Sequence, residues 1–575
     1  MKRLIALLIV LALCFSGCEL LYETPTSDTT IGDNDPPVDD GVGDDATVDE
    51  NGKNDNVDDP ATGGNTGSGS GTGTGSGTGS GSGTGTGSGT GTGTGSGTGE
   101  DCEDGHKDVN DDGVCDDCSV SVIVIVDLFA INDLHGKISA TTSQPGIGGL
   151  TTYLKRETDD NSIIFSSGDM WQGSAESNLT YGAFITDWMS RVGFVSMTLG
   201  NHEYDWGEKY ISANAALAEF PILAINVYDK TTGKRAEYAT PSVVIERGGV
   251  EIGIIGAIGD CYSSISGDVS GNFTFKVGNE LTDLVKAEAD RLRSQGVDFI
   301  IYSLHDGYGS NTSGVKSVSN SALSGYYDAV LSNGYVDMVF EGHTHQSYIL
   351  KDGYGVYHLQ GGGENKGLSH AEIKINSANG NTGVNTVEIV KSSVWSGLAT
   401  DSIVTELLLK YDDQISAADE VLGTNRYYLD DSEVEQIVAN LYYQAGVEIW
   451  GDEYDITLGG GFLKTRNPYN LKSGTVLYSD VYSILPFDND LVLCSISGAD
   501  LLSKFINTTN TDYYIAAGVD IEDLKNSIRS DRTYYVVVDS YTSTYKYNNL
   551  TEIARISGLY ARDLFAEYVR EGGLS

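Results

Sequence analysis

Basic residues are scarce in this sequence of 575 residues. It has 35 Lys and Arg against 82 Asp and Glu, which gives a formal net charge of −47. This balance argues against binding to duplex nucleic acid, because such proteins use a basic face to replace the counterions of the phosphates. It does not argue against a small anionic substrate, since bound metal ions or a few arginines reverse the charge locally.

A long apolar run of the kind that crosses a membrane is also missing. The apolar run at residues 4–13 follows Lys2 and Arg3 and is too short for a comfortable membrane-spanning helix, but it is typical of a secretory signal at 1–18. Its Leu-x-x-x-Gly-Cys ending resembles a bacterial lipobox. We therefore expect Cys18 to carry a lipid that anchors the protein to the cell membrane, with ordinary signal-peptidase cleavage as the alternative. In both cases the protein leaves the cytoplasm.

Large apolar side chains are almost absent from residues 19–101. The first part of this segment is rich in Asp, and residues 63–99 are almost entirely Gly, Ser and Thr. Such a segment cannot bury enough apolar surface to offset the conformational entropy of its backbone. It is predicted to be a disordered linker.

Cysteines are few, seven in total, and three of them lie in an acidic element at residues 102–118. Four acidic or amide residues occupy positions 1, 3, 5 and 9 of an EF-hand-like loop: Asp108, Asn110, Asp112 and Asp116. Position 12 is Ser119 instead of the usual Glu, so a calcium ion in the 108–119 loop is only one expectation. A tetrahedral zinc set is another: Cys102, His106, Cys115 and Cys118. A disulfide or an acidic loop without a ligand are the remaining alternatives.

Polar loops follow five predicted strands in the region from residue 119. Nearly continuous apolar runs predict buried strands at 122–130, 162–166, 195–199, 298–304 and 336–340, and helices between them indicate an α/β sheet system. Each strand is followed by a loop with Gly and with Asp, Asn or His, and five of the eight histidines lie in these loops. Because such folds bind ligands at the carboxyl ends of their strands, we expect the loops to converge. Asp, Asn and neutral imidazole together suit zinc, manganese or iron.

The five loops together resemble those of the calcineurin-like metallophosphoesterases, and more narrowly of their 5′-nucleotidase branch. The matching motifs are Asn132-Asp-Leu-His-Gly136, Gly168-Asp-Met-Trp-Gln-Gly-Ser174, Gly200-Asn-His-Glu-Tyr-Asp205, His305-Asp-Gly307 and Gly342-His-Thr-His345. The resemblance extends over roughly residues 121–570. It implies an N-terminal α/β sandwich of two mixed sheets flanked by helices (119–400), a connecting helix (401–419) and a C-terminal α+β substrate domain (420–575).

The resemblance also implies two divalent metal ions, zinc, manganese or similar. One ion would be bound by Asp133, His135, Asp169 and His345. The other would be bound by Asn201, His305, His343 and the bridging Asp169. Two dications roughly 3.5–4 Å apart can hold a hydroxide at neutral pH and stabilise the phosphoryl oxygens during in-line attack. His202 would stabilise the transition state or protonate the leaving alkoxide, and Asp205 would orient its imidazole.

Substrate residues are implied in the second half of the chain, where the resemblance is looser. Phe487 and Asn489 match the family's Pro-Phe-x-Asn, so Phe487 would stack on a nucleobase and Asn489 would hydrogen-bond it; a plain core aromatic is the alternative for Phe487. Leu463 stands where the family has an Arg, which leaves Arg466 as the candidate phosphate ligand or as a surface residue. The family's second stacking ring is missing from its usual motif. The candidate replacements are Tyr545, which we favour, Tyr541 and Tyr547.

These residues predict one activity, with two alternative activities on the same site. The protein is expected to remove phosphate from nucleoside 5′-monophosphates or related esters outside the cell, with a small phosphorylated molecule as its partner. The alternatives on the same site are a 2′,3′-cyclic-nucleotide phosphodiesterase and a UDP-sugar diphosphohydrolase. A non-catalytic surface module usually loses a ligand or the catalytic His, whereas every position is present here. A nuclease conflicts with the surface charge, although single-stranded ends could be admitted.

Overall fold

The structure of the protein is a computed structural model that describes residues 107–575 except 112, 116–120, 141–144, 266, 321–333, 464–469 and 509–512. Some predicted residues lie outside the described part: Cys18, Asp112, Asp116, Arg466 and the side chain of Tyr545. The described residues all belong to one compact unit. None of the helices in the described ranges is both long and apolar enough to cross a membrane.

The first region of the chain contains fifteen strands and six helices within the described residues. In chain order the strands are β1 (Ile123–Ile131), β2 (Ser162–Ser166), β3 (Phe194–Thr198), β4 (Ile222–Leu223), β5 (Val227–Asp229), β6 (Ser242–Arg247), β7 (Val250–Ile258), β8 (Phe273–Phe275), β9 (Phe299–His305), β10 (Val315–Ser317), β11 (Met338–Glu341), β12 (Ser347–Lys351), β13 (Tyr357–Gly361), β14 (Gly367–Asn376) and β15 (Thr382–Lys391). The helices are α1 (Ile147–Glu157), α2 (Ala175–Leu179), α3 (Ala183–Val192), α4 (Glu208–Leu217), α5 (Gly267–Ser270) and α6 (Asn279–Ser294), with 3₁₀ turns at His202–Tyr204, Asp260–Ser264 and Ser392–Val394.

Two sheets form the core of this region. The first has the order β15-β14-β1-β2-β3-β4, and the second has the order β10-β12-β13-β11-β9-β7-β6. Strands β1 to β4 are parallel, as are β7, β9, β11 and β13, and antiparallel strands complete both sheets. The apolar runs of the sequence form the layer between the sheets, where the Phe165 and Phe340 rings meet edge to face 5.0 Å apart. The predicted α/β sandwich of two mixed sheets is confirmed.

Helices cover the outer faces of both sheets. Helix α6 places Leu281, Val285, Ala289 and Leu292 in one buried stripe, as the helical period of 3.6 residues requires. On the other sheet, Trp188 of α3 is fully buried, and its indole N–H donates to Thr151 at 2.8 Å. Because both faces are covered, the polar loops at the strand ends are the natural place for a site.

The connecting segment at 401–419 is helical but is not one helix. It forms α7 (Ser402–Lys410), α8 (Asp412–Ile415) and a 3₁₀ turn at Ser416–Asp419. The chain bends at Tyr411, whose buried side chain packs on Phe184 of α3, and Lys410 pairs with Asp187 of the same helix. These side-chain contacts with α3 interrupt the helix that the apolar period predicts.

The C-terminal region is a mixed sheet with helices, as predicted. Its strands are β16 (Val421–Asn425), β17 (Ile456–Phe462), β18 (Gly474–Leu477), β19 (Asp490–Ser497), β20 (Tyr513–Ala516), β21 (Thr533–Asp539) and β22 (Thr551–Tyr560). Its helices are α9 (Asp431–Trp450), α10 (Tyr478–Ile484), α11 (Gly498–Asp500), α12 (Ile521–Ser527) and α13 (Ala561–Arg570), with π-helical turns at Leu501–Ile506 and Thr542–Lys546. The main sheet has the order β20-β17-β21-β19-β22. Helix α9 crosses β17 closely, because Gly459 has no Cβ to meet the Tyr443 backbone N, which would lie 2.1 Å away.

The described part of the acidic element packs on the β14–β15 hairpin. The buried Asp108 carboxylate accepts hydrogen bonds from Gly113 N at 2.8 Å and from Asn376 Nδ2 at 2.6 Å. The sulfur of the buried Cys115 accepts a hydrogen bond from Lys107 N at 3.4 Å. The calcium loop and its zinc and disulfide alternatives remain predictions.

Candidate metal centre

The loops after β1 and β11 bring three predicted ligands together. His135 Nε2 lies 3.0 Å from His345 Nε2, and His345 Nε2 lies 3.4 Å from Asp133 Oδ1. The ligand atoms of these three residues all lie within 4.8 Å of one another. They come from the two different sheets, so the packing of the sandwich creates this group.

The loops after β2, β3 and β9 form a second group beside the first. His305 Nε2 lies 3.1 Å from Asp169 Oδ2 and 3.3 Å from Asn201 Oδ1. His343 Nδ1 lies 3.0 Å from the same amide oxygen. Asp169 Oδ2 is also 3.9 Å from His135 Nε2, which places this carboxylate between the two groups. All seven predicted ligands are therefore close together in the structure.

The donor set fits divalent cations. The Nδ1 atoms of His135 and His305 lie 2.8 Å and 2.7 Å from the carbonyl oxygens of Gln172 and Ser167, to which only an N–H can donate. In the neutral form of the two imidazoles, their Nε2 atoms carry lone pairs that face other lone pairs on imidazole, carboxylate and amide groups. Histidine ligands typically donate their second ring N–H to a carbonyl in this way. Such a cluster of acceptors matches the ligand preferences of zinc, manganese and similar ions.

Most of the ligand residues have an uncommon backbone conformation. Five have positive φ angles: Asp133 (50°), His135 (50°), Asp169 (53°), His343 (68°) and His345 (55°). Each such residue costs of the order of 1–3 kcal/mol and persists only where the surrounding structure enforces it, as happens at functional sites. The left-handed turns aim successive side chains of one short loop at the same point.

Backbone hydrogen bonds join the first two ligand loops directly. Asp133 N donates to Gly168 O at 2.9 Å, His135 N to Asp169 O at 3.0 Å and Gly136 N to Met170 O at 2.9 Å. This ladder continues the pairing of β1 with β2 beyond the ends of the strands. The spacing between the two loops is therefore set by main-chain atoms.

Glu203 has a role that was not predicted from the sequence. This buried carboxylate accepts hydrogen bonds from the backbone N–H groups of Asp169 (2.9 Å), Met170 (2.8 Å) and Gly200 (2.7 Å). Burial and the neighbouring Asp169 charge raise the pKa of Glu203 to about 7. Glu203 thus ties the loop after β2 to the loop after β3. The only signal in the sequence was its place in Gly-Asn-His-Glu.

A sixth strand end also reaches the site, and this too was not predicted from the sequence. Cys261 follows β7, and its thiol donates to His305 O at 2.9 Å. Its sulfur lies within 4.8 Å of ligand atoms of His305 and His343. Burial, with the charges of Asp306 and Asp169, raises the pKa of the thiol well above its usual value. Cys261 is buried, as is Cys494.

Asp169 and His343 have the protonation states that suit metal binding, whereas the pKa of His305, which burial alone would lower, is raised to about 10 by Asp169, so a cation there would displace a proton. Burial raises the pKa of Asp169, but the imidazoles around it, His305 first, lower it well below its usual range, so the carboxylate is charged. Burial beside His305 lowers the pKa of His343 to about 4, which leaves this imidazole neutral. A charged carboxylate and a neutral imidazole are the forms that bind cations.

His202 and Asp205 lie at the edge of the ligand cluster. His202 Nδ1 is 2.8 Å from Asp205 Oδ2, and His202 N donates to Asp169 Oδ1 at 2.8 Å. The His202 ring lies 5.2 Å from the His135 ring between centroids. The two side chains are 23% and 26% exposed, so a substrate can reach His202 from solvent.

A polar network lies behind the loop that contains His343 and His345. Gln360 accepts from Thr344 Oγ1 at 3.0 Å and donates to Tyr348 Oη at 3.1 Å. Tyr348 donates to Glu341 at 2.6 Å, and Glu341 lies 2.9 Å from His358 Nδ1. These hydrogen bonds hold the loop in position through Thr344.

Among the predicted substrate residues of the C-terminal region, Phe487 lies beside the ligand cluster. The Phe487 ring is 6.0 Å from the His202 ring with 29° between their planes. Phe487 is half-buried and, with Asn489 and the buried Leu463, lines a small cavity. Tyr547, in contrast, is packed 4.8 Å from Phe505 in the core, so it does not offer a free ring for stacking.

Comparisons with known proteins identify the first region. Residues 127–347 match the family model for calcineurin-like phosphoesterases, a span that includes all seven predicted ligands. Protein UshA of Yersinia enterocolitica is 26% identical over 377 residues, which are 59% of this chain and 66% of that protein. A 5′-nucleotidase of Vibrio cholerae is 28% identical over 229 residues, 38% of this chain and 40% of that protein. The chain thus aligns with less than two thirds of the length of either relative.

The fold is also that of a solved structure. The crystal structure of a 5′-nucleotidase precursor from Thermus thermophilus superposes with a TM-score of 0.59 at 18% identity. The superposition covers 78% of this chain and 96% of that chain, so it includes the C-terminal region as well. Residues 127–347 of the chain thus match the calcineurin-like phosphoesterase family model, and the fold around them is similar to that of the 5′-nucleotidase precursor.

Proposed function

We propose that the protein is a metal-dependent phosphohydrolase that releases phosphate from nucleoside 5′-monophosphates or related phosphate esters. The observation that supports this most is the position of His202. It lies between a cluster of seven convergent ligands and the ring of Phe487, 6.0 Å away. A phosphate at the cluster would therefore have an acid on one side and an aromatic surface beyond it.

The ligand residues would hold two divalent ions, as the sequence predicts. Asp133, His135 and His345 would bind one ion, and Asn201, His305 and His343 would bind the other, with Asp169 between them. Bound ions of this kind activate water at neutral pH and neutralise charge on the phosphoryl oxygens. The chain itself keeps the His343 imidazole neutral and the Asp169 carboxylate charged, and Glu203 fixes the loops that carry Asp169 and Asn201.

His202 would transfer the proton to the leaving alkoxide. With Nδ1 directed at Asp205 Oδ2, 2.8 Å away, Nε2 is the ring nitrogen that can donate to the leaving oxygen. The Asp205 carboxylate stabilises the protonated imidazole, which favours the donating form. The position of the Asp205 carboxylate also keeps the neutral His202 ring in one tautomer.

Phe487 and Asn489 would bind the base, and Arg466 and Tyr545 remain proposed partners of the phosphate and the base. We extend the proposal to the rest of the chain in line with the sequence. The protein would act outside the cytoplasm, anchored through Cys18 and separated from the membrane by the 19–101 linker. Residues 119–400 and 420–575 would be the metal-binding and substrate domains.

Phosphodiesters are the second candidate substrates. Leu463, at the place of the family's Arg, is buried and lines the cavity, so that position offers no cation for a terminal phosphate. This departure favours testing 2′,3′-cyclic nucleotides and UDP-sugars alongside monophosphates.

One assay tests the proposal. The purified protein is incubated with AMP, UDP-glucose, 2′,3′-cyclic AMP, bis-p-nitrophenyl phosphate and single-stranded DNA, with manganese or zinc and with EDTA. We expect metal-dependent release of phosphate from AMP. Turnover of the diesters alone would replace the nucleotidase by a phosphodiesterase, and no metal-dependent turnover of any substrate would contradict the enzymatic proposal.

A further inference from the structure

We propose that Arg562 is a positioning residue that sets the ring of Phe487 against His202 and thereby determines the preference for substrates with a base. This inference rests on the proposed function of the site. It assigns to helix α13, which contributes nothing to the metal cluster, a role in substrate selection.

Arg562 binds the turn that carries Phe487. Its side chain is buried, with 4% exposure of the residue, and one guanidinium nitrogen donates to Phe487 O at 3.1 Å and more weakly to Pro486 O at 3.5 Å. The other terminal nitrogen donates to the Asp488 carboxylate. One guanidinium group therefore contacts three consecutive residues, the turn Pro486–Asp488.

The guanidinium is itself held in place. Its central carbon lies 4.3 Å from the centroid of the Tyr482 ring and 4.5 Å from that of Tyr560. The turn it contacts has no regular secondary structure, so no strand or helix hydrogen bonds fix it. The planar fork of Arg suits this arrangement, and the compact ammonium of Lys would not reproduce it.

The metal-binding region contacts the same turn from the other side. Pro486 O accepts hydrogen bonds from Gln172 Nε2 at 3.1 Å and Asn178 Nδ2 at 3.2 Å, and both donors are buried. The backbone carbonyl of Gln172 in turn accepts from His135 Nδ1 at 2.8 Å. A continuous series of hydrogen bonds thus connects a metal ligand, the turn and Arg562. The contacts from the two regions together determine the position of the Phe487 ring.

The geometry predicts a defect that depends on the substrate. A ring that shifts away from His202 loses its contact with a base but changes nothing for a phosphate ester that lacks one. Ribose 5-phosphate is AMP without its base, so the two substrates share the phosphate, the sugar and the leaving oxygen. Comparison of their kinetics isolates the contribution of the ring.

The test measures kcat and KM for AMP and ribose 5-phosphate with the full-length protein and its variants. Because base stacking on an aromatic ring contributes roughly a factor of ten in affinity, Arg562→Met should raise KM for AMP about tenfold and leave KM for ribose 5-phosphate within about twofold. Arg570→Met is the matched control, since it removes an arginine of the same helix that pairs with Glu420. This control variant should leave kcat and KM for both substrates unchanged.

A double variant tests whether Arg562 acts through the Phe487 ring. If Arg562 acts through the ring, Arg562→Met combined with Phe487→Ala should be no worse for AMP than Phe487→Ala alone. Additive losses, a parallel rise of KM for both substrates, or no change in either would each overturn the proposal. If Arg562→Met does not fold, as shown by its thermal unfolding, Arg562→Lys is subject to the same criteria. Failure of the wild-type protein to hydrolyse AMP would contradict the proposed function instead.

Discussion

The Nδ1 atom of His202 lies 2.8 Å from the Oδ2 atom of Asp205, three residues later in the same loop. The contact spans a 3₁₀ turn, His202–Tyr204, which brings the two side chains to the same side of the chain. Two other residues of the loop have different contacts: Asn201 faces the ligand cluster, and Glu203 points into the protein. One turn therefore carries a predicted ligand, the proposed acid, a structural carboxylate and the proposed orienting carboxylate in five residues.

Asp205→Asn should lower kcat for AMP by about 10- to 100-fold, because outer carboxylates that orient an active imidazole contribute on this scale. KM and metal content should stay close to the wild-type values. Steady-state kinetics and metal analysis check this, with the exposed Asp413→Asn as the control. A variant that keeps full kcat would remove Asp205 from the mechanism.

Asp169→Ala and His202→Ala should fail in different ways. The first removes a carboxylate that lies 3.1 Å from His305 Nε2 and 3.9 Å from His135 Nε2, so it should lose bound metal as well as activity. The second should retain the metal and lose about two orders of magnitude in kcat, the scale of general acid catalysis. Metal analysis after gel filtration separates the two. Equal metal loss in both variants would contradict the assigned roles.

Glu203→Gln should destabilise the site although it leaves every ligand in place. Glutamine has one acceptor oxygen, and its amide N–H₂ would face the backbone N–H groups that both carboxylate oxygens now accept. An unsatisfied buried donor costs about 1–3 kcal/mol, so the thermal midpoint and the metal affinity should both fall. The exposed Glu208→Gln, five residues later, is the control. Unchanged metal affinity in Glu203→Gln would mean that the backbone holds the loops without it.

Stability should fall between about pH 6.5 and pH 9 through His358. Burial alone would lower the pKa of His358, but Glu341 and Asp352 raise it to about 9. The folded state therefore binds the proton more tightly than the unfolded state, and the stabilisation is complete below about pH 6.5 and lost as the pH rises through about 9.

The size of this effect is on the order of 2–3 kcal/mol, and it is measured as the difference between the wild-type protein and His358→Gln. Chemical unfolding of the metal-loaded proteins at pH 6 and pH 9 gives the four free energies required. The wild type should lose its advantage over the variant at pH 9. A difference that does not depend on pH would show that folding does not shift the pKa of this imidazole.

The buried strands were the most predictable part of the fold. The predicted strand at residues 162–166 coincides with β2, because a short apolar run of this length is typical of a strand that is covered on both faces. The segment at 401–419 was predicted less well, because contacts of Tyr411 and Lys410 with α3 interrupt a helix that the apolar period alone would continue. Packing between distant elements decides such breaks, and it leaves no local signal.

The candidate site shows the same division. The convergence of the five loops was predictable because each carries polar side chains after an apolar strand. The individual ligands and the roles of His202 and Asp205 came from the family resemblance and remain predictions. Glu203 and Cys261 were not predictable, since their partners are backbone groups of loops far away in sequence. The contacts of Arg562 with the Pro486–Asp488 turn were likewise invisible, because a charged residue in a helix is usually solvent-exposed.

The main-chain ladder between the loops after β1 and β2 has a consequence for metal selectivity. Asp133, His135 and Asp169 lie on two loops that are joined by backbone hydrogen bonds of 2.9–3.0 Å, so the spacing of these predicted ligands is set by main-chain atoms. A cation of a different radius must then be accommodated by the loops after β3, β9 and β11. Selection between zinc, manganese and larger ions is therefore expected to depend on the residues that support those three loops.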